Sequence, residues 1–126
     1  MSIRVAVFDD NAKRREGLQM LIDSTDNMSC VGAWPDCREV VRHVMETKPD
    51  VVLMDIRMPG LNGFETIERI RDIPEIADTP VVVLSAWATA QHTARAKALG
   101  VEWYITKPFN LDDLVNTVMD AYASRS

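Results

Sequence analysis

Asp50-Val51-Val52-Leu53-Met54-Asp55-Ile56-Arg57-Met58-Pro59-Gly60 is the stretch whose reading decides the fold. Val51 to Met54 is short, apolar and unalternated, with a β-branched start, which is how a strand covered on both faces reads. Val5 to Phe8 and Val81 to Leu84 repeat the pattern. A mixed stretch from Val101 to Ile105 and a weaker run from Cys30 to Trp34 bring the number of strands to five. Gly32 interrupts the weaker run and Pro35 stops it, which suits a short edge strand.

Between these runs the period becomes helical. Leu18, Leu21, Ile22 and Thr25 share one face; Cys37, Val40, Val41, Val44 and Met45 share another; Leu111, Leu114, Val115, Val118, Met119 and Tyr122 form a third. Asp36 and Asn62 precede helical patterns with Glu39 and Glu65 in capping-box positions, and Asn110 with Asp113 is a weaker version of the same signal. Residues 88–99 are alanine-rich and stop at Gly100, a fourth helix in sequence with the thinnest apolar face and the weakest expected packing. The order is βαβαβαβαβα. Such alternation implies parallel strands joined by right-handed crossovers with helices on both faces, an α/β doubly wound (βα)5 three-layer sandwich. A five-stranded parallel sheet of order 2-1-3-4-5, flavodoxin-like, is expected by analogy with folds of this size.

The chain has 126 residues, enough to bury roughly two thirds of its unfolded surface around one core. One domain over 1–126 is expected. Hydrophobic residues at 47% and charged residues at 26% exclude a disordered or fibrous chain. No apolar run approaches the roughly 20 residues of a membrane span, and no cationic-then-apolar leader opens the sequence, so a cytoplasmic protein is expected. Acidic residues outnumber basic ones 19 to 14, giving a net charge of -5, which disfavours direct nucleic-acid binding by this chain. Cys30 and Cys37 form no Cys-x-x-Cys pair and read as structural thiols, and the seven methionines read as core fillers.

In a doubly wound sheet the ligand lies beyond the carboxyl ends of the strands. The residues just past the apolar runs are Asp9 and Asp10, Asp55, Ser85, and Lys107 with Pro108. Each alone is an ordinary turn or capping residue. Together they place three carboxylates, a hydroxyl and an ammonium at one edge. Carboxylates sharing a site repel one another unless a cation compensates, and a cluster of oxygen ligands without His or Cys suits Mg²⁺, with Mn²⁺ as a substitute. Lys107 and Ser85 supply what a transferring phosphoryl group needs, charge neutralisation and a donor. No Walker loop or Gly-x-Gly-x-x-Gly is present to bind a nucleotide.

At these residues the sequence resembles the receiver domains of bacterial two-component response regulators, nearly end to end. Phe8-Asp9-Asp10-Asn11 is similar to their acidic pair, and Met54-Asp55-Ile56-Arg57-Met58-Pro59-Gly60 to the phosphoacceptor loop. Leu84-Ser85-Ala86 resembles the segment of the switch hydroxyl, and Tyr104-Ile105-Thr106-Lys107-Pro108-Phe109 that of the switch aromatic and its lysine. Arg15-Glu16-Gly17-Leu18 and Cys30-Val31-Gly32-Ala33 resemble receivers that precede a helix-turn-helix output. The resemblance implies that Asp55 accepts a phosphoryl group from a sensor histidine kinase or a histidine phosphotransfer protein. It implies a metal held by Asp9, Asp10, Asp55 and the Arg57 carbonyl. Lys107, the Ser85 hydroxyl and the Ala86 amide would bind the phosphoryl oxygens, with a cis Lys107-Pro108 bond. Ser85 and Tyr104 would switch the surface formed by helix 88–99, the fifth strand and the last helix. The chain would catalyse only its own phosphotransfer and dephosphorylation, and it would carry no output domain.

Three departures stand beside that pattern. Ser85 occupies a position where threonine is common. Trp87 is bulky near the mouth of the site and either shields the phosphoryl group from water or lies on the surface. Trp103, beside Tyr104, is either buried under a helix or helps form a homodimer contact on the switching surface. His43 and His92 read as surface or helix-packing residues. Two other functions remain open from sequence: a small Mg²⁺-dependent aspartyl phosphatase, although Phe8-Asp9-Asp10-Asn11 lacks that family's Asp-x-Asp-x-Thr pattern, and a receiver-like scaffold that is never phosphorylated.

Overall fold

In the computed structural model, residues 2–35, 39–55, 63–85, 94, 97–101, 103–106 and 110–124 are described. The strands are β1 (Ile3–Phe8), β2 (Met28–Trp34), β3 (Val51–Asp55), β4 (Val81–Ser85) and β5 (Trp103–Thr106). They form one parallel sheet of order β2-β1-β3-β4-β5, as expected. Four helices are described: α1 (Ala12–Ser24), α2 (Val40–Thr47), α3 (Gly63–Asp72) and α4 (Leu111–Ser124). The helix expected over 88–99 lies largely outside the described residues, as do Cys37 and His92.

Alternate side chains of each strand enter opposite cores. On one face Ala6, Phe8, Val52, Met54, Val81 and Val83 meet Val40 and Val44 of α2 and Ile67 and Ile70 of α3. On the other, Val5, Val7, Leu53, Val82 and Leu84 meet Leu18 and Ile22 of α1 and Leu114, Val118 and Ala121 of α4. β3 is buried at every residue, which accounts for its unalternated sequence.

Several sequence expectations need correction. β2 starts at Met28 and runs through Gly32, because the register slips between Val5 and Ala6 and absorbs one extra residue as a bulge. Gly32 does not interrupt the strand; it seats the Trp34 ring, which a Cβ at position 32 would strike. Trp34 stacks on Phe8 at 5.1 Å and on His43 at 4.2 Å, so His43 is a helix-packing residue. Helix α2 begins at Val40, which puts Glu39 at the N-cap rather than inside a capping box; its carboxylate pairs with Arg42 at 2.8 Å and makes no side-chain cap bond. Asp36 and Asn62 lie outside the described residues. At α4 the expected cap is present, with the Asp113 amide donating to Asn110 Oδ1 at 2.7 Å. Met20, Met45 and Met119 are exposed, and among the described methionines only Met28 and Met54 fill the core. A single residue's rotation around a helix separates Met45 from Val44 and Met119 from Val118, and the flexible methionines fall on the wet side. Val101 is buried but precedes β5, which starts two residues later.

Arg71 ties three chain segments together. Its Nε donates to the Leu99 carbonyl at 2.9 Å, and its Nη1 donates to those of Ala77 at 2.9 Å and Thr79 at 2.7 Å. Burial lowers its pKa from the ordinary arginine value, with Asp78 opposing. Replacing Arg71 with methionine keeps the aliphatic stem and leaves three carbonyls without this donor, so a loss of about 2 kcal/mol in urea unfolding is expected. A loss below roughly 0.5 kcal/mol, the scale of ordinary surface substitutions, would show that the three bonds are replaced by water.

Candidate functional site

The register of the sheet builds the site. Phe8 lies opposite Met54, so Asp9, one residue past β1, comes level with Asp55 at the end of β3. Asp55 pairs with Leu84, and Ser85 pairs with Thr106, the residue before Lys107. The carboxyl edge thus collects Asp9, Asp10, Asp55 and the ends of β4 and β5. The ligand oxygens of Asp9, Asp10 and Asp55 lie within 4.8 Å of one another. Asp9 and Asp55 are buried, at 0% and 2% exposure, while Asp10 is exposed. Two carboxylates out of water at this spacing are costly unless both are compensated.

Local chemistry holds Asp9 in place. Its amide donates to the Trp34 carbonyl at 3.1 Å, which anchors the end of β1 to the neighbouring strand. Its Oδ1 accepts the Asn11 amide at 2.9 Å, the turn-forming role that any such aspartate can play. Asn11 is the N-cap of α1 and accepts the Arg14 amide at 2.9 Å. Side chains of a helix's first turn lean back toward its start, and Arg14 does so over the acidic edge. Arg14 Nε donates to Asp9 Oδ2 at 2.6 Å, and Nη2 donates to Asp9 Oδ1 at 3.1 Å and Asp55 Oδ2 at 3.0 Å. Arg15 Nη1 donates to the Asp9 carbonyl at 2.9 Å. Arg14 was not among the residues singled out by sequence. The available signal was the basic run Lys13-Arg14-Arg15 at a helix start, where cations oppose the dipole.

The set of donors fits a hard divalent ion: three carboxylates, with no nitrogen or sulfur ligand among the described residues, and a buried pair that has already drawn in a guanidinium. Tyr104 is half-buried against the core that holds α2 and α3. Trp103 is half-buried against the opposite core, with α1 and α4, near the amino end of β5 and away from the acidic edge. Cys30 is half-buried, and burial pushes its thiol pKa up, in line with a structural thiol. Arg57, Ala86, Trp87, Lys107 and Pro108 lie outside the described residues, as does the Ser85 side chain.

A doubly wound five-stranded sheet with an acidic cluster at the carboxyl edge of β1 and β3 defines the class, and the chain belongs to the response regulator receiver domain family, whose model matches residues 5–119. It is 33% identical over 118 residues to the transcriptional regulatory protein YdfI of Bacillus subtilis, covering 94% of this chain and 54% of that one. It is 38% identical over 106 residues to protein-glutamate methylesterase/protein-glutamine glutaminase 3 of Burkholderia thailandensis, covering 84% of this chain and 29% of that one. The chain therefore spans about half the length of the first relative and less than a third of the second. Among solved structures, the response regulator domain of Thermotoga maritima CheB superimposes with a TM-score of 0.87 at 35% identity, covering 98% of both chains. Among the described residues no helix is long and apolar enough to cross a membrane.

Proposed function

We propose that this receiver is a phosphorylation-driven switch in which Asp55 takes a phosphoryl group from a phosphohistidine of a sensor histidine kinase or histidine phosphotransfer protein. The observation that carries the reading is the buried Asp55 carboxylate at the end of the central strand, beside Asp9 and Asp10, in a chain of this family. An oxygen of Asp55 attacks phosphorus in line. The bond from phosphorus to the imidazole nitrogen breaks, and its electron pair leaves with the imidazole. Asp9, Asp10 and Asp55, with the Arg57 carbonyl, would hold Mg²⁺ or Mn²⁺, which supplies neutralisation of charge on the phosphoryl oxygens. Lys107 would offset the same charge, and the Ser85 hydroxyl and Ala86 amide would donate to it.

The product adds about one negative charge at Asp55. Ser85 moving toward that charge and Tyr104 moving into the vacated space would bias the surface of residues 88–106 and α4 between two packings. The chain turns over no metabolite in this reading and acts in the cytoplasm. Output passes through protein contacts, including a homodimer on the switching surface with Trp103 at its edge; a Trp103→Asp chain is expected to lose phosphorylation-dependent dimerisation in sedimentation runs.

Incubation with phosphoramidate and MgCl2, followed by a phosphate-affinity gel, tests the reading. A shifted, acid-labile, EDTA-sensitive band is expected. Sustained phosphate release from many phosphate esters would instead indicate the phosphatase, and no band under any metal condition the unphosphorylated scaffold.

A further inference from the structure

The acidic edge already holds a cation of the chain's own. One guanidinium, that of Arg14, reaches both oxygens of Asp9 and one of Asp55. A divalent ion would use the same two buried carboxylates. Each carboxylate offers about four lone-pair positions, and the Asn11 amide already takes one of those on Asp9. Bidentate guanidinium contacts are the strong kind of charge-assisted hydrogen bond. Two positive groups on one carboxylate pair also repel each other.

The placement of Arg14 is locally unfavourable. It stands in the first turn of α1, where the helix dipole and the free amides disfavour a cation. Its side chain is 31% exposed, so water borders the guanidinium and a route outward exists.

We propose that Arg14 is a displaceable internal counter-cation: it neutralises Asp9 and Asp55 in the metal-free protein, and a divalent cation must displace it to bind. Arg14 then sets the metal concentration at which the site becomes competent. The proposal rests on the metal-binding reading given above. It concerns a residue of α1 that belongs to neither the ligand set nor the phosphoryl contacts.

Calorimetric titration of the chain with MgCl2 tests it. In Arg14→Met the Kd is expected to fall roughly tenfold, the equivalent of about 1.4 kcal/mol. Lys13→Met removes the same charge from the exposed side of the same turn and is expected to change Kd by less than about twofold, because solvent screens it. Arg14→Lys keeps the charge but loses the fork, so it should fall between the parent and Arg14→Met, and it carries the test if Arg14→Met does not fold. Melting adds a second readout: Arg14→Met should melt below the parent in EDTA, and the gap should close in saturating MgCl2. Unchanged or weaker Mg²⁺ binding in both Arg14 variants, or an equal shift in Lys13→Met, overturns the inference and leaves the metal reading intact. Absence of binding in every chain, parent included, overturns both.

Discussion

An Asp55→Asn chain incubated with phosphoramidate and MgCl2 is expected to show no acid-labile band where the parent shows one, a loss of at least about a thousandfold in phosphorylation rate. The amide nitrogen has no lone pair free for attack, and the remaining amide oxygen is far less nucleophilic than a carboxylate. The substitution is nearly isosteric, so the effect isolates chemistry from packing. It also removes one negative charge from a position that is 2% exposed and bonded to Arg14 at 3.0 Å. Folding should survive, because the buried acidic pair becomes a single acid that Arg14 still neutralises through Asp9. Circular dichroism of the variant checks that point. A folded Asp55→Asn chain that is phosphorylated as well as the parent would place the acceptor elsewhere and remove the proposed function.

The largest loss of stability is expected from Phe8→Ala, about 3–5 kcal/mol by urea unfolding. Phe8 is fully buried, and its ring stacks on Trp34 with planes 25° apart. It sits in the core with Val40, Val44, Val52, Met54 and Ile67. β1 is hydrogen-bonded to β2 on one side and β3 on the other, so the backbone has little room to collapse into the cavity. A domain of this size is stable by only roughly 5–15 kcal/mol, and the loss would be a large part of that. The effect should reach the site as well, because Asp9 follows Phe8 and its amide bonds the Trp34 carbonyl. Phe8→Leu keeps most of the volume and should cost less than about 2 kcal/mol. If Phe8→Ala cost under about 1 kcal/mol, the stacked Phe8, Trp34 and His43 rings would be decorating the core rather than supporting it.

Much of the fold was legible because burial on both faces leaves a plain mark. Val51 to Met54 and Val81 to Leu84 admit no polar residue, and the observed strands differ from those runs by one residue at an end. Edges were harder. Gly32 looked like a break because strand propensity counts a missing side chain as a loss, whereas the folded chain uses that space for the Trp34 ring. Helix faces were legible at their centres and wrong at their rims: Val44 and Val118 are buried, while the adjoining Met45 and Met119 face water. Periodicity assigns a direction only to within about one residue's 100° turn.

The candidate site divides in the same way. That Asp9, Asp10 and Asp55 follow strands 1 and 3 is a property of the sequence, since a parallel sheet gathers whatever ends its strands at one edge. Composition and motif also determined that the cluster calls for a cation. Which cation stands there in the folded chain was decided by tertiary structure alone. Arg14 and Asp55 are separated by 41 residues, and no local pattern reports a 3.0 Å contact across that distance. The contact exists because Asn11 fixes the start of α1, the first turn leans its side chains back toward that start, and the register of β1 on β3 sets Asp55 beside Asp9. Three local rules had to meet in space before one arginine could span two buried acids.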